Sequence, residues 1–356
     1  MPASEPAPNG SDHPEALAAG QHATAPDGQP IRVAALDCGT NTFRLYIADV
    51  YPDGAQRQLV RETRIVRLGQ GVDVTGEIAP IALARAFTAA REFAKLIDVF
   101  RPERARMVAT SASRDARNSG DFVAGIEKIL QVAPEVIPGK EEAALAFAGA
   151  TRGLHGKYPA PYLVVDLGGG STELVLGDRA PTAEYSMDVG SVRLTERHLR
   201  SDPPSSSEIK KANDDVGAML AVAATQVPIG NARTIVGVAG TVTSLTAHYL
   251  GLRKYDPAVV DGTALSPVEV ERACTEMVAL SREQRMALGF MQTGRADIIG
   301  AGAVIWRAVV ERVCAAARAE GHEIAAVVSR ESDMLEGIAA VLASADAAQY
   351  ATNAVK

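Results

Sequence analysis

The sequence predicts an α/β protein whose two domains flank a cleft, and three observations support this class. Apolar, β-prone runs alternate with segments whose apolar residues recur at helical spacing. A strand, an Asp, a Gly-containing turn and a second strand occur twice, around Asp37 and around Asp166. The 356 residues suffice for about two domains, each with its own core. We therefore expect a duplicated fold with one such hairpin in each half.

The first domain is expected over residues 31–150, after an N-terminal tail. That tail, residues 1–30, is rich in Pro, Ala, Gly and short polar residues and is expected to be disordered. Helices are placed where apolar residues follow the helical period, and Pro80 suits a first helical turn. The predicted strands are 32–36, 43–50, 58–68, 106–109 and 135–137. The predicted helices are 81–100, 121–132 and one that opens at Gly139.

The second domain is expected over residues 151–331 and repeats the pattern of the first. Its predicted strands are 162–166, 173–177, 182–189, 233–239 and 324–329. Its predicted helices begin after Gly190 and after Gly240 and cover 207–222, 267–280 and 296–317. A last helix, about 332–343 within the C-terminal segment 332–356, is expected to return to the first domain.

The turn between Asp166 and Glu173 carries three successive glycines, at 168–170, followed by Ser171 and Thr172. Without Cβ atoms, the backbone N–H groups of such a turn can close on an anion, above all phosphate. Two carboxylates beside a phosphate repel it unless a cation lies between them, and Mg²⁺ is the expected mediator. The alternative is an ordinary Gly-rich hairpin with solvated acids.

Further polar groups follow predicted strands at the sheet edge where α/β proteins usually bind ligands. Arg114 is a candidate for phosphate contact, although an exposed loop arginine has the same sequence pattern. Gly240 and Thr241 lie at a strand-to-helix turn, whose N–H groups can meet phosphate. A candidate track for a long polyanion consists of Arg61, Arg64, Arg67, Arg114 and Arg117.

Two acids, Glu141 and Glu142, stand in the first turn of the helix that opens at Gly139. The helix dipole favours acids at this position, which is a sufficient structural reason for them. In the functional interpretation, one of them is a general base for water, which contributes a factor of about 10² to 10⁴ to the rate. The local sequence leaves both readings open.

Composition excludes several classes of function. The chain is 47% hydrophobic and 22% charged with a net charge of −7, which argues against a general nucleic-acid or anionic-membrane binder. Aromatic residues make up only 4%, too few for base-stacking platforms. The three cysteines are far apart and fit neither a disulfide framework nor a zinc site. With no predicted signal peptide or spanning helix, a cytoplasmic protein is expected.

Six segments, in one order along the chain, carry a resemblance to a known family. They are 37–42 (DCGTNT), 110–114 (TSASR), 139–143 (GKEEA), 166–173 (DLGGGSTE), 190–194 (GSVRL) and 237–241 (GVAGT). Together they resemble the exopolyphosphatase and guanosine pentaphosphate phosphohydrolase family (Ppx/GppA). This family belongs to the larger group of actin, the sugar kinases and the Hsp70 ATPase. The resemblance covers about 31–343, and the six segments as a set are specific.

The resemblance implies two ribonuclease-H-like (actin-like ATPase) domains around a cleft, a divalent metal, Mg²⁺ or Mn²⁺, and stepwise hydrolysis of a terminal phosphoanhydride. It implies that Glu142 activates water and that Arg114 reaches bound phosphate. The implied metal ligands are Asp37, Asp166 and Glu173. The implied phosphate-binding residues are Thr40, Asn41, Thr42, Gly168, Gly169, Gly170, Ser171, Thr172, Gly240 and Thr241.

The chain also departs from the family pattern. Thr40 and Thr42 stand where many relatives have serines, which keeps the hydroxyl and adds a methyl group. The Gly-Leu-Arg run common near the end of long relatives is missing, and no His is followed by Asp, the metal motif of their extra helical domain. We therefore expect the short, two-domain form of the family.

Three functions are compatible with these residues. Exopolyphosphatase activity on inorganic polyphosphate is favoured, and 5′-hydrolysis of guanosine pentaphosphate, with guanosine penta- or tetraphosphate as the partner, is the near alternative. A non-catalytic polyphosphate or nucleotide sensor is the third. A kinase is less expected, because a glutamate poised for water suits hydrolysis. A homodimer is expected only by analogy with the family.

Overall fold

Two β-sheets organise the computed structural model, which describes residues 28–344. The expected N-terminal tail and the end of the C-terminal segment fall largely in residues 1–27 and 345–356, outside this range. The strands of the first sheet are β1 (Ile31–Cys38), β2 (Thr42–Val50), β3 (Gln56–Ile65), β4 (Arg104–Ala109) and β5 (Pro134–Val136). Their spatial order is β3-β2-β1-β4-β5; β1 pairs antiparallel with β2 and parallel with β4.

The second sheet repeats this arrangement. Its strands are β6 (Tyr162–Leu167), β7 (Thr172–Gly177), β8 (Pro181–Met187), β9 (Thr234–Val238), β10 (Ala264–Leu265) and β11 (Ala326–Ser329). Their order is β10-β11-β9-β6-β7-β8, with β6 antiparallel to β7 and parallel to β9. The central hairpins β1–β2 and β6–β7 therefore occupy equivalent places, and the predicted α/β class with two related sheets is confirmed.

Helices cover both sheets. Those before β6 are α1 (Val72–Thr75), α2 (Pro80–Phe100), α3 (Ser111–Asp115), α4 (Ser119–Leu130) and α5 (Gly139–Ala150). Those after it are α6 (Ser191–His198), α7 (Ser206–Gln226), α8 (Ala239–Tyr249), α9 (Pro257–Val260), α10 (Pro267–Ala279), α11 (Arg282–Met286), α12 (Thr293–Ala296), α13 (Ile299–Ala319) and α14 (Met334–Ala343). No helix formed by residues 28–344 is long and apolar enough to cross a membrane.

The helix α5 lies between the two sheets. Leu145 and Ala146 pack with α14 against one face of the first sheet. Ala143 and Phe147 pack against one face of the second sheet. The opposite faces are covered by α2 and α4 in the first sheet and by α7, α10 and α13 in the second. We call the first sheet with α1–α4 and α14 the first lobe, and the second sheet with α6–α13 the second lobe; α5 is shared.

The last helix, α14, packs on β1 and α5 although it follows the second sheet in the chain. Its crossing with α5 is close, because a Cβ added at Gly337 would overlap the backbone carbonyl of Leu145. The guanidinium of Arg104, on β4, donates to the carbonyl of Leu342 at 2.7 Å and so closes the C-terminal end of α14. The chain thus joins the lobes twice, through α5 and through the segment that precedes α14.

Several predicted boundaries differ from the structure for identifiable reasons. The strand β3 ends at Ile65 rather than at Leu68, because the amides of Val66 and Arg67 donate to the carbonyl of Asn41 in the first hairpin. The segment after β4, for which no element was predicted, contains the short helix α3. The elements α1, α9, α11, α12 and β10 were not predicted, since two to five residues are too few to establish a period.

Candidate active site

A cavity of about 440 Å³ opens between the two lobes. Both central hairpins, the N-terminal end of α5 and the turn from β9 to α8 form its walls. The predicted site residues that line it are Asp37, Thr40, Asn41, Thr42, Glu142, Asp166, Gly168, Gly169, Ser171, Glu173, Gly240 and Thr241. Residues far apart in sequence thus converge on one concave surface, as expected for a ligand site.

The two hairpin turns face each other and touch. A Cβ added at Gly170 would stand 2.5 Å from Thr40 Oγ1 and 2.7 Å from Ser111 Oγ, and one at Gly169 would stand 3.1 Å from Thr40 Cβ. The hydroxyls of Thr40 and Ser111 are hydrogen bonded to each other at 2.8 Å. The close contact explains why glycine stands at position 170: a side chain there would displace the hydroxyls of Thr40 and Ser111.

The alternation of side chains along the strands brings the acids together. The side chain of Asp37 lies on the face of β1 that packs against α5 and α14. The side chain of Asp166 lies on the face of β6 that packs against α5. In the β-ladders, Asp37 is directly opposite Arg44, and Asp166 is directly opposite Glu173. The first hairpin thus carries an acid and a base where the second carries two acids.

Glu142 stands at the N-terminal end of α5, between the two faces just described. Its side chain is buried, and Oε2 accepts a hydrogen bond of 2.7 Å from Arg114, which also donates to the carbonyl of Ile137 at 2.9 Å. Burial raises the pKa of Glu142 to about 7, against the opposing charge of Arg114. The neighbouring Glu141 turns away and pairs with Arg106. The structure therefore distinguishes the two acids that the sequence left equivalent.

Burial also raises the pKa of the other acids on this surface. The pKa of Asp166 rises to about 8, first through burial and then through the negative charge of Asp333. The pKa of Glu173 rises well above its usual value through burial and the charges of Glu142 and Asp166. Burial likewise raises the pKa of Asp37, with Arg44 opposing it. The surface holds more carboxylates than guanidinium groups can neutralise.

This surplus of buried acid fits a divalent cation. One oxygen of Asp37, Oδ1, is buried and has no hydrogen-bond partner within residues 28–344. The same part of the chain contains no group of three or more His, Cys, Asp or Glu side chains arranged to hold a metal. Mg²⁺ typically binds through one or two carboxylates together with water and substrate phosphate, so it does not need such a cage. The donor set agrees with that mode of binding.

Three predicted site residues lie apart from the cavity surface. Thr172 is fully buried and its hydroxyl donates to the carbonyl of Val189 at 2.6 Å, so it holds the hairpin and cannot donate to a ligand. Gly170 contacts the facing hairpin and is not part of the cavity wall. Arg114 also lies outside the wall, since its guanidinium is engaged by Glu142 and Ile137. In this arrangement it positions the acid, and a contact between Arg114 and bound phosphate stays a prediction.

The predicted arginine track is wrong. Arg61 and Arg64 lie on opposite faces of β3: one guanidinium stacks over Tyr46 and the other over Phe93. Of the five arginines only Arg61 lines the cavity. Each is paired with a carboxylate: Arg61 with Glu336, Arg64 with Glu62 and Glu92, Arg67 with Asp297, Arg114 with Glu142, and Arg117 with Glu77.

Sequence reasoning missed several residues of the site. Arg44 donates to Asp37 Oδ2 at 2.6 and 2.8 Å and also to Asp333. The spacing of Asp37 and Arg44 across a three-residue turn would have predicted that they face each other. No sequence signal points to Asp333, which comes from the segment before α14. Arg295, on α12, donates to Ser244 Oγ at 2.9 Å beneath the β9–α8 turn.

The backbone at the β9–α8 turn is unusual. Ala239 has a φ of 70°, in the left-handed region that residues other than glycine rarely adopt. It is followed by Gly240 and Thr241, and all three line the cavity. Backbone strain of this kind, on the order of 1 kcal/mol, collects at ligand-binding turns.

Two similar α/β lobes flank a cleft, and each presents a hairpin turn to it, which defines a class of two-domain α/β proteins with a ligand site between the domains. Within that class the chain belongs to the Ppx/GppA phosphatase family, whose model matches residues 47–333. It is 47% identical over 320 residues to exopolyphosphatase 2 of Mycobacterium tuberculosis, covering 88% of this chain and 98% of that protein.

Solved structures agree with this assignment. A crystal structure of an exopolyphosphatase-like protein shares 46% identity and superposes with a TM-score of 0.86, covering 89% of this chain and 98% of the other. The PPX-GPPA enzyme of Aquifex aeolicus shares 29% identity with a TM-score of 0.71, covering 87% and 99%. An exopolyphosphatase from Cytophaga hutchinsonii shares 25% identity with a TM-score of 0.77, covering 87% and 97%.

Proposed function

We propose that the protein is an exopolyphosphatase that hydrolyses the terminal phosphoanhydride of inorganic polyphosphate and releases orthophosphate. One observation carries the proposal: a buried glutamate, Glu142, with a pKa of about 7, stands on the wall of a cavity whose other walls are two facing glycine- and hydroxyl-containing turns. The names of the relatives in Mycobacterium tuberculosis and Cytophaga hutchinsonii support the choice of substrate.

The turns bind the terminal phosphate. The backbone N–H groups that follow Gly168 in the turn, together with the hydroxyl group of Thr40, supply the donors, because the N–H of Gly168 already donates to the carbonyl of Ser171. Glu142 orients a water molecule and accepts its proton as the oxygen attacks the terminal phosphorus in line with the leaving oxygen. Arg114 fixes the Glu142 carboxylate, so that its orientation does not depend on the substrate. Positioning and charge stabilisation contribute most of the rate.

A divalent cation, Mg²⁺ or Mn²⁺, is part of the proposal. One or two of the carboxylates of Asp37, Asp166 and Glu173 would hold it, together with water and substrate phosphate oxygens, and the unpaired Oδ1 of Asp37 supports this assignment. When bound, it would screen the charge of the phosphate oxygens and so stabilise the developing negative charge. The chain's own acids are otherwise a source of repulsion toward any phosphate in the cavity.

Phosphate release from long-chain polyphosphate and from guanosine pentaphosphate, each measured with and without Mg²⁺, tests the function. The proposal predicts faster turnover of polyphosphate. Faster turnover of the nucleotide would replace it with the guanosine pentaphosphate phosphohydrolase activity. Binding of either compound without phosphate release would indicate a sensor. We further infer a cytoplasmic location, because Cys38, Cys274 and Cys314 are all free and buried.

A further inference from the structure

The loop at residues 250–256, between α8 and α9, forms part of the outer wall of the cavity. Tyr255 and Pro257 line the cavity, and the two residues that precede Tyr255, Arg253 and Lys254, are exposed to solvent. Neither Arg253 nor Lys254 has a carboxylate partner among residues 28–344. Two adjacent, uncompensated cations therefore stand next to the rim of a cavity that is otherwise rich in acid.

The cations inside the cavity are already engaged. Each of them is held by partners from the protein itself, which leaves little positive charge for the rest of a long polyanion. Arg44 pairs with Asp37 and Asp333, Arg61 with Glu336, Arg330 with Asp261, and Arg295 is half-buried and donates to Ser244. With a net charge of −7, the molecule as a whole also repels polyphosphate.

The loop is fixed in place on the cavity wall. Leu252 and Tyr255 pack against the small core around Phe290, which itself lines the cavity. The hydroxyl of Tyr255 donates to the carboxylate of Glu331. The backbone carbonyl of Arg253 lies so close to Gly289 that a Cβ there would overlap it. A loop held by its flanking residues keeps Arg253 and Lys254 at the rim at little entropic cost.

We propose that Arg253 and Lys254 bind the part of a polyphosphate chain that extends out of the cavity while its terminal phosphate is held by the hairpin turns. This inference rests on the proposed exopolyphosphatase function and adds to it a determinant of chain length. A short substrate ends inside the cavity and does not reach the pair. A long chain carries further charges past the rim, and there the two cations attract them.

The test replaces both residues in one variant, Arg253→Gln with Lys254→Gln, and measures phosphate release. For long-chain polyphosphate we expect KM to rise roughly tenfold with kcat unchanged, since two charge contacts are lost; a tenfold change corresponds to about 1.4 kcal/mol. The slope of log affinity against log salt concentration should fall by about one to two. For tripolyphosphate both KM and kcat should stay at the wild-type values.

The matched control is Lys210→Gln with Lys211→Gln. This pair is also adjacent and exposed, carries the same charge, and lies on α7, none of whose residues line the cavity. The control should keep the wild-type KM for both substrates. An equal rise in KM in both double variants would show a net-charge effect and overturn the inference, as would an unchanged KM for long chains in the Arg253 and Lys254 variant.

A binding experiment separates this inference from the proposed function. In a Glu142→Gln background, which removes the proposed base, the affinity for long-chain polyphosphate is measured with and without the Arg253 and Lys254 changes. A roughly tenfold loss of affinity supports the rim site whatever the turnover; an unchanged affinity overturns it. Absence of phosphate release by the wild-type protein would overturn only the proposed activity.

Discussion

At the scale of single residues, the structure assigns different environments to two adjacent glutamates. Glu142 is buried on the cavity wall, whereas Glu141 is two-fifths exposed and pairs with Arg106. If Glu142 is the base, Glu142→Gln should lower kcat for phosphate release by about 10² to 10⁴ and leave the fold intact. The variant is compared with the wild type by steady-state kinetics and circular dichroism.

Glu141→Gln is the control for this prediction. It makes the same chemical change one position away and removes only a partly exposed ion pair, which typically contributes less than about 1 kcal/mol. We expect kcat within a factor of about two of the wild type. Similar losses of kcat in the two variants would show that helix α5 needs its acids for structure. That result would contradict the assignment of Glu142 as the base.

The ion pair between Arg114 and Glu142 leads to a prediction about the pH dependence of kcat/KM. Burial raises the pKa of Glu142 to about 7, and the positive charge of Arg114 opposes that rise. The base must be deprotonated, so kcat/KM should increase with pH up to about 7 and then level off. Arg114→Ala removes the opposing charge and should raise the pKa of Glu142 further. The rising limb of the pH profile should then move to higher pH, by about one pH unit if the lost interaction with the carboxylate is near 1.4 kcal/mol.

Arg117→Ala provides the comparison for that pH profile. Arg117 belongs to the same segment, but it is exposed and pairs with Glu77 outside the cavity. Its pH profile should coincide with that of the wild type. If Arg114→Ala lowers kcat/KM at every pH without shifting the profile along the pH axis, then Arg114 does not act by changing the pKa of Glu142.

At the scale of secondary-structure elements, the crossing of α5 and α14 depends on glycine. A Cβ at Gly149 would overlap the carbonyl of Asp333, and one at Gly337 would overlap the carbonyl of Leu145. Backbone atoms cannot rotate away as side chains do. We therefore expect Gly149→Ala and Gly337→Ala each to lower the free energy of unfolding by about 1 to 3 kcal/mol, measured by chemical denaturation.

Gly217→Ala on α7 should change the free energy of unfolding in the opposite direction. A Cβ at Gly217 meets no atom within 4 Å, and the residue lies in an exposed part of the helix. Alanine there should raise the stability by about 0.5 to 1 kcal/mol, through its better helix propensity. If all three substitutions destabilised the protein alike, the close crossing would not be the cause.

Elements of this size were largely predictable from the sequence. Long helices such as Pro80–Phe100 and the strands of both central hairpins have clear periods and turn residues, and they lie within a few residues of their predicted bounds. The short elements α1, α9, α11, α12 and β10 were missed because they have no period of their own. The end of β3 was misplaced because it depends on a hydrogen bond to the distant carbonyl of Asn41.

The site was predictable where its residues come from the two hairpins and from α5. Asp37, Asp166 and Glu142 lie beside local signals, a glycine turn or a helix start, and these define their place in the fold. Asp333 and Arg295 reach the cavity only through the return of the chain to the first lobe and through the packing of α12. Partners of this kind, like Glu92 beside Arg64 and Asp297 beside Arg67, are set by tertiary contacts that a single sequence does not display.

At the scale of the whole molecule, the cavity is assembled by both lobes and is closed by contacts between them. Arg193, on α6 of the second lobe, pairs with Asp73 and Asp115 of the first lobe. Arg44 and Asp333 join the chain segments on the other side of α5. Acids from both lobes therefore meet in the cavity only when the protein is folded, and their protonation is coupled to folding.

This coupling predicts how stability changes with pH. The folded-state pKa values of Glu142 and Asp166, about 7 and about 8, lie above their ordinary values of 4.5 and 3.8. Between these limits the folded protein binds more protons than the unfolded chain, so the free energy of unfolding should fall as pH rises from about 5 to 8. Chemical denaturation in the presence of a chelator measures this slope, which should be shallower in Glu142→Gln.

A divalent cation competes with those protons for the same carboxylates. At pH 8 the acids have lost much of their protons and repel one another, so Mg²⁺ should raise the free energy of unfolding more at pH 8 than at pH 6. Chemical denaturation at both pH values, with Mg²⁺ and with chelator, gives the four free energies of unfolding that this comparison needs. An equal effect of Mg²⁺ at the two pH values would place the cation away from Asp166, because only a ligand that displaces protons from these acids links metal binding, pH and folding.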